Sequence, residues 1–280
     1  MSNSLPDLST AINELLCVAD SKWVLGHWYI KVIPNGRCLP DFNALSGMAQ
    51  DELGHTRAMF SFLEEEELVP VNRLEFDRPS TEIHNMQLLD EAPKNWADFV
   101  VTAYLAETAL WRLFSTFENS AHPAIANMVD QFGQESRFHH LYCKGWVQAF
   151  DEKDFAEAAE SIKQRLPLAL DWFGSDSSDD SLVASGVRTS SSADARTDFI
   201  NADVAELLEL LNLPADTKVA AVNGARDAAR RRPAGSAMPA ELWEFVLPTN
   251  EDAMIARRPL LVSSTDNVLW SADNVPEPVL

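Results

Sequence analysis

Residues 50–57 of the chain are Gln-Asp-Glu-Leu-Gly-His-Thr-Arg, and they place an acid and an imidazole on the apolar side of a helix. Apolar residues at positions 45, 48, 59 and 62 follow the 3–4 spacing of a helix that buries one stripe. The same spacing passes through Glu52 and His55. Because an unpaired buried charge is costly, both side chains need a partner in the protein interior.

Three other long helices are predicted from similar apolar stripes, and each stripe is also interrupted by polar residues near its middle. The four predicted helices span residues 8–33, 41–67, 95–119 and 124–150. The interruptions are Lys22, Glu52 with His55, Glu107, and Glu135 with His139. A Glu-x-x-His pair facing the inside of a bundle is a half-site of di-iron carboxylate proteins, whereas a lone pair is also compatible with a hydrogen-bonded core histidine. Four interruptions at similar heights predict a shared polar centre.

The composition limits the classes of function. The formal net charge of −21 argues against nucleic acid and anionic membrane surfaces as partners. The three cysteines are scattered, which favours a reducing compartment over a disulfide framework or a zinc site. Residues 1–10 lack the pattern of a signal peptide, and no apolar stretch reaches transmembrane length. We therefore expect a cytoplasmic protein.

The pattern predicts an all-α fold with a C-terminal extension. The predicted parts are a helical bundle over 1–174, a Ser/Asp-rich linker over 175–197, and a short helix with a Pro-rich docking tail of extended segments over 198–280. The long irregular connection over 69–93 suits a bundle in which the second and third helices run parallel. Arg230-Arg231-Arg232 is a basic cluster that indicates either a solvated turn or a contact for an anionic ligand.

Two motifs resemble the phenylacetyl-CoA oxygenase (ring 1,2-epoxidase) family of phenylacetic acid catabolism. They are Ala-Gln-Asp-Glu-Leu-Gly-His at 49–55 and Gln-Glu-Ser-Arg-Phe-His at 134–139, and the resemblance covers about residues 10–175. The resemblance implies a ferritin-like fold and two related kinds of subunit: a catalytic one with a di-iron centre and a structural one without metal. By the same resemblance the iron ligands are Glu52, His55, Glu107 and His139, with Glu52 and Glu107 as catalytic residues.

Two positions depart from the catalytic pattern of that family, so the chain is intermediate between its two branches. Lys22 stands where the first-helix glutamate ligand is expected. Ser136 stands where the fourth-helix glutamate is expected, with Glu135 one residue earlier, as in the structural branch. An ammonium at ~4 Å from a cation repels it by ~4 kcal/mol at an effective dielectric constant of about 20.

The sequence leaves the occupant of this centre open. Lys22 could replace the metal by pairing its charge with Glu52, Glu107 or Glu135. Alternatively, iron could bind with altered ligands, with Asp20 or His27 supplying the missing one, or a single metal could bind the four remaining ligands. The cofactor is thus iron or none.

The resemblance implies a component that takes part in oxygenation of an aromatic or acyl-CoA-like substrate. As an enzyme, it would activate O2 with electrons from a separate reductase. As a structural subunit, it would form a homo- or hetero-oligomer with a homologous oxygenase subunit. A ferritin-like metal-storage protein is a third hypothesis, against which Lys22 argues.

Overall fold

The fold is described here from a computed structural model, which covers residues 8–247 apart from residues 10, 67, 70, 76, 175–179, 216, 218–221 and 223. Its helices are α1 Ile12–Val32, α2 Leu39–Glu65, α3 Val71–Glu75, α4 Trp96–Phe114, α5 Pro123–Gln148, α6 Glu152–Trp172, α7 Asp180–Ala184, α8 Ser192–Asp198, α9 Ala205–Leu210 and α10 Ala240–Val246. Two short antiparallel strands are β1 Arg226–Asp227 and β2 Arg232–Pro233. The predicted all-α, ferritin-like bundle is confirmed.

Local chemistry explains where the bundle helices begin. The Asn95 side chain accepts a 2.8 Å hydrogen bond from the Asp98 N–H and so caps α4. Asp151 caps α6 in the same way through the Asp154 N–H at 2.9 Å. Pro123 occupies the first turn of α5, where a missing N–H costs nothing. The predicted helix starts therefore lie within a few residues of the observed ones.

The directions of the helices follow from contacts between their ends. Asp41, near the start of α2, accepts a 2.9 Å hydrogen bond from the indole of Trp146, near the end of α5. Tyr29, near the end of α1, packs edge-on against Phe99, near the start of α4, with ring centroids 6.0 Å apart. Each of these pairs is antiparallel, and α1 and α2 are also antiparallel. Consequently α2 and α4 run parallel, as the long connection predicts.

Buried ion pairs fix that connection to the bundle. Asp20 on α1 accepts two hydrogen bonds from Arg78, at 2.6 and 2.8 Å. Arg165 on α6 donates to Asp98 at 2.9 and 3.0 Å. The same guanidinium donates to three backbone carbonyls, those of Leu88, Glu91 and Ala92. The connection is largely irregular apart from α3 and two short 3-10 turns, and both these ion pairs and the buried side chains of Leu74, Ile83 and Met86 hold it to the bundle.

The segment predicted to be a linker has more structure than expected. Beyond residue 179 it forms α7 and the start of α8, and the side chains of Leu182, Val187 and Arg188 are buried. A π-helical turn over Phe199–Val204 joins α8 to α9. The short helix predicted from residue 198 therefore begins earlier, because Ser191 forms a capping box with Asp194.

The arginine cluster is buried, so its interpretation as a solvated turn is wrong. Arg231 and Arg232 are 3% and 0% exposed. Arg231 donates to Glu14 on α1, and Arg232 donates to Asp90 at 2.6 and 3.1 Å. The cluster binds the C-terminal extension to the bundle.

The extended conformation predicted for the tail is wrong for residues 240–246, although the short strands β1 and β2 are extended. Residues 240–246, which include Trp243, Phe245 and Val246, form α10. The predicted docking of Leu260, Leu261, Val262 and Trp270 falls outside the described residues. None of the helices in the described part of the chain has the length and hydropathy needed to cross a membrane.

Candidate functional site

A close approach of α1 and α2 positions the first pair of the site. A Cβ atom at Gly26 would lie 3.0 Å from Leu53 Cγ and 3.2 Å from Glu52 Cβ, so glycine lets α1 lie this near α2 without displacing those side chains. One turn earlier, Lys22 Nζ donates to Glu52 Oε1 at 2.8 Å. Both residues are buried, at 2% and 0% exposure. This ion pair is therefore shielded from water.

Glu52, Glu107 and His139 form the centre of the site. One ligand atom from each lies within 4.8 Å of the others. His139 Nδ1 is 2.8 Å from Glu107 Oε1 and 3.5 Å from Glu52 Oε1, and the Tyr29 hydroxyl donates to Glu107 Oε1 at 2.6 Å. Among the residues that the structure describes, Glu52 Oε2 and Glu107 Oε2 are buried without a hydrogen-bond partner. Two carboxylate oxygens thus remain as possible ligand atoms.

His55 lies beside this group and is not part of it. Its Nε2 contacts the Glu135 carboxylate, and its Nδ1 is 3.6 Å from Glu52 Oε1. Its ring stacks on Phe132 with centroids 3.9 Å apart. Glu135 is 38% exposed at its side chain, so this pair lies nearer the surface.

The electrostatics of the centre favour charged side chains. Burial raises the pKa of Glu52, but the Lys22 ammonium and a hydrogen bond to His139 lower it well below its usual range. Burial lowers the pKa of His139, but Glu107 and the bond to Asp51 raise it to about 12. Because His139 lies between two carboxylate acceptors, both of its ring nitrogens donate. The centre is a network of paired charges.

A family model described as phenylacetic acid catabolic protein matches residues 4–228. The chain belongs to this family. No curated protein matches the chain. The family match extends beyond residues 10–175, where the motif resemblance was recognised, and it includes α7, α8 and α9. The polar centre and the segment predicted as a linker therefore belong to one family region of the chain.

Of the three acids predicted as possible charge partners of Lys22, the structure pairs it with one. Lys22 contacts Glu52, whereas Glu107 is bound by Tyr29 and His139. Glu135 is bound by His55. The charge pairing of Lys22 is therefore a single ion pair within a wider network.

The two alternative ligands proposed from the sequence lie elsewhere. Both carboxylate oxygens of Asp20 are bound by Arg78, and the His84 N–H donates to one of them at 2.7 Å. The His27 Nδ1–H donates to the Trp23 carbonyl at 2.8 Å. Asp20 and His27 therefore do not replace the missing ligand.

Sequence reasoning missed two members of the network. Tyr29 lies two turns after Lys22 on α1, at a buried position of the helix where an aromatic residue is common in a core. Burial and the neighbouring Glu107 raise the pKa of Tyr29, which keeps its hydroxyl a donor. Asp51 lies 3.1 Å from His139 Nε2, with a side chain 36% exposed. The only feature of the sequence that points to Asp51 is its place next to Glu52 in the motif.

The residues present do not fit a pair of irons. Such a centre needs roughly four carboxylates and two imidazoles with free ring nitrogens. Here three ligand atoms converge, an ammonium is bonded to one of the carboxylates, and the one imidazole among them donates from both nitrogens. The two carboxylate oxygens without hydrogen bonds leave room for a smaller ligand set of one ion.

Proposed function

We propose that this chain is a structural subunit of an oxygenase that acts on an aromatic or acyl-CoA-like substrate. In this proposal the oxygen-activating metal belongs to a homologous partner subunit. The observation that carries it is the position of Lys22 Nζ, 2.8 Å from Glu52 Oε1 inside the bundle. The substrate class comes from the resemblance to the phenylacetyl-CoA oxygenase family.

The charge of the centre supports this proposal. Lys22 and a doubly protonated His139 bring two positive charges to the two carboxylates Glu52 and Glu107. With Asp51, which accepts from the other ring nitrogen of His139, the group has two positive and three negative charges, a net charge of −1 without a metal. An added divalent cation would meet an ammonium a few ångströms away, at a repulsion of several kcal/mol.

The hydrogen bonds also support a structural role for the centre. Glu107 is bound by Tyr29 from α1 and by His139 from α5, while Glu52 joins α1 to α2 through Lys22. The polar residues thus tie together the same four helices that ligands tie together around a metal. A bundle stabilised in this way keeps the shape needed to pack against a catalytic homologue.

A second candidate function is a centre with one metal ion, in which the chain is itself an enzyme. Glu52 Oε2 and Glu107 Oε2, which lack hydrogen bonds to other described residues, favour it together with His139. For this set to bind an ion, His139 must lose a proton and Lys22 must move from Glu52. Iron bound there would supply oxygen activation.

Metal analysis of protein purified from iron-replete cells separates the two candidates. We expect substoichiometric iron in the wild-type chain. We expect the double variant Lys22→Glu/Ser136→Glu to gain iron, because it removes the ammonium and supplies the two carboxylates that the family pattern requires. Stoichiometric iron in the wild type, lost in His139→Gln, would overturn the structural proposal in favour of the enzyme.

The matched control is Lys22→Glu/Ser136→Gln. It differs from the double variant by one amide in place of one carboxylate, so it has the same volume without the second new ligand. An equal rise in bound iron in both variants would show that a carboxylate at position 136 does not contribute to iron binding.

A further inference from the structure

Lys31 differs from the other lysines in the described part of the chain. Each of those others has a hydrogen bond or an ion pair with a side-chain oxygen, at positions 22, 94, 144, 153 and 163. Lys31, in the last turn of α1, has neither with any described residue, although Glu241 lies near enough to act on it electrostatically. Its side chain is half-buried, so this ammonium is partly removed from water without an acid bound to it.

Two aromatic rings lie against the Lys31 ammonium. Its Nζ is 5.1 Å from the ring centroid of Trp28, one turn earlier on α1, and 5.1 Å from the ring centroid of Phe245 on α10. The two ring centroids are 5.9 Å apart. Because the faces of aromatic rings attract a cation, Lys31 helps to attach α10 to α1.

A small cavity lies beside the same ammonium. It has a volume of about 70 Å³, and the apolar side chains of Ala92, Pro239 and Leu242 form part of its lining. Asp90 also lines it, but Arg232 binds that carboxylate at 2.6 and 3.1 Å. One water molecule needs about 10–15 Å³ of such space, so the cavity has room for an uncharged group of a few heavy atoms.

The surroundings of Lys31 favour a reactive amine. Burial lowers the pKa of Lys31 below the ordinary value for lysine, and Glu241 offsets only part of this effect. More of the amine is therefore unprotonated near neutral pH than at an exposed lysine. The unprotonated amine is the form that attacks a carbonyl carbon. Because the side chain is only half-buried, a reagent in solvent can reach it.

We propose that Lys31 is a modification site, acylated by short acyl thioesters, and that its acylation weakens the attachment of α10. The amine nitrogen attacks the thioester carbonyl carbon, the C–N bond forms and the C–S bond breaks. Of the two protons that the ammonium loses, one goes to solvent and one to the released thiol. The product is an uncharged amide, so the cation over Trp28 and Phe245 is lost. The inference does not depend on the proposed function.

Acetylation of the full chain with acetyl-CoA tests the proposal. Peptide mass spectrometry gives the rate at each lysine in one sample, with the exposed, ion-paired Lys153 and Lys163 as internal references. We expect Lys31 to react at least about threefold faster than either at neutral pH, because a lowered pKa leaves more unprotonated amine. A rate at Lys31 no higher than at these two lysines overturns the proposal.

Hydrogen exchange over residues 240–247 measures the attachment of α10. We expect acetylation to speed this exchange by about two- to fivefold, which corresponds to the loss of a partly exposed cation–π contact. The matched control is Lys31→Arg, which keeps a cation at this position and has no amine to acylate. Treatment with acetyl-CoA should leave its exchange unchanged. Constant exchange in the acetylated wild type, or an equal rise in Lys31→Arg, overturns the proposal as well.

Discussion

Two kinds of buried carboxylate in this protein differ in how completely their oxygens are hydrogen-bonded. The carboxylates of Asp20, Asp90 and Asp98 accept bonds on both oxygens, from Arg78, Arg232 and Arg165 and from neighbouring backbone or side-chain donors. We call these groups the arginine clamps. In the polar centre, Glu52 and Glu107 each keep one buried oxygen that no other described residue binds.

The difference follows from the cations. A guanidinium has five donors in a rigid fork and stays charged, so it satisfies a carboxylate completely and also binds carbonyls. The donors of the polar centre each bind only one carboxylate oxygen: Lys22 binds Glu52, and His139 and Tyr29 bind Glu107. The clamps are therefore fixed structural joints, while the centre keeps ligand atoms and groups that can lose a proton.

Removing a clamp should have the largest effect on stability. We expect Arg165→Met to lower the free energy of unfolding by about 5 kcal/mol, because it leaves the buried Asp98 carboxylate and three carbonyls without their donor. Denaturant unfolding measures this. The control Arg73→Met breaks an ion pair whose side chains are 50% and 43% exposed and should cost under about 0.5 kcal/mol.

Lys22→Met should cost somewhat less, about 3–4 kcal/mol. It leaves Glu52 buried without its cation, but protonation of Glu52 relieves part of the cost. The backbone carbonyls that lose their donor in Arg165→Met cannot be neutralised in this way. Thermal unfolding with a chelator present measures the loss. A variant that melts like the wild type would contradict the assignment of Lys22 as the charge partner of Glu52.

The centre should also make stability depend on pH above neutrality, whereas the clamps should not. The pKa of His139 is raised to about 12 in the fold. Its contribution is fully present below the unfolded value of about 6.5 and is lost as the pH rises towards the folded value, at about 1.4 kcal/mol per pH unit. Unfolding at pH 7, 8 and 9 measures the slope.

His139→Gln is the control for that slope and should flatten it. Arginine remains protonated throughout the same range, so the clamps add no slope of their own. An equal slope in the wild type and in His139→Gln would place the titrating group elsewhere.

The smallest effect is expected for Tyr29→Phe, about 1.5 kcal/mol, because it removes one hydrogen bond to the charged Glu107 and leaves the ring in place. Chemical unfolding measures it, with Tyr142→Phe as a control for the loss of a tyrosine hydroxyl that donates to another carboxylate, that of Asp41. If Tyr29→Phe lowered the free energy of unfolding more than Arg165→Met does, the arginine clamps would not be the stronger structural joints.

Much of the bundle was predictable because its long helices carry strong apolar periodicity. Predictions failed where the periodicity ended. The serine-rich stretch that precedes α8 has the composition of a linker, yet Leu182 and Arg188 are buried in it. The arginines at 230–232 look solvated by composition, since their acidic partners, such as Glu14 and Asp90, lie more than 140 residues away in sequence.

The sequence by itself determined the helical bundle and the polar residues that interrupt its seam, because spacing along a helix decides which side chains share a face. Only the tertiary structure decided how those residues pair. Lys22 binds Glu52. His55 binds Glu135 and lies outside the group formed by Glu52, Glu107 and His139. These partners lie on different helices, and hydrogen bonds act over about 3 Å, so the rotation and height of each packed helix select them.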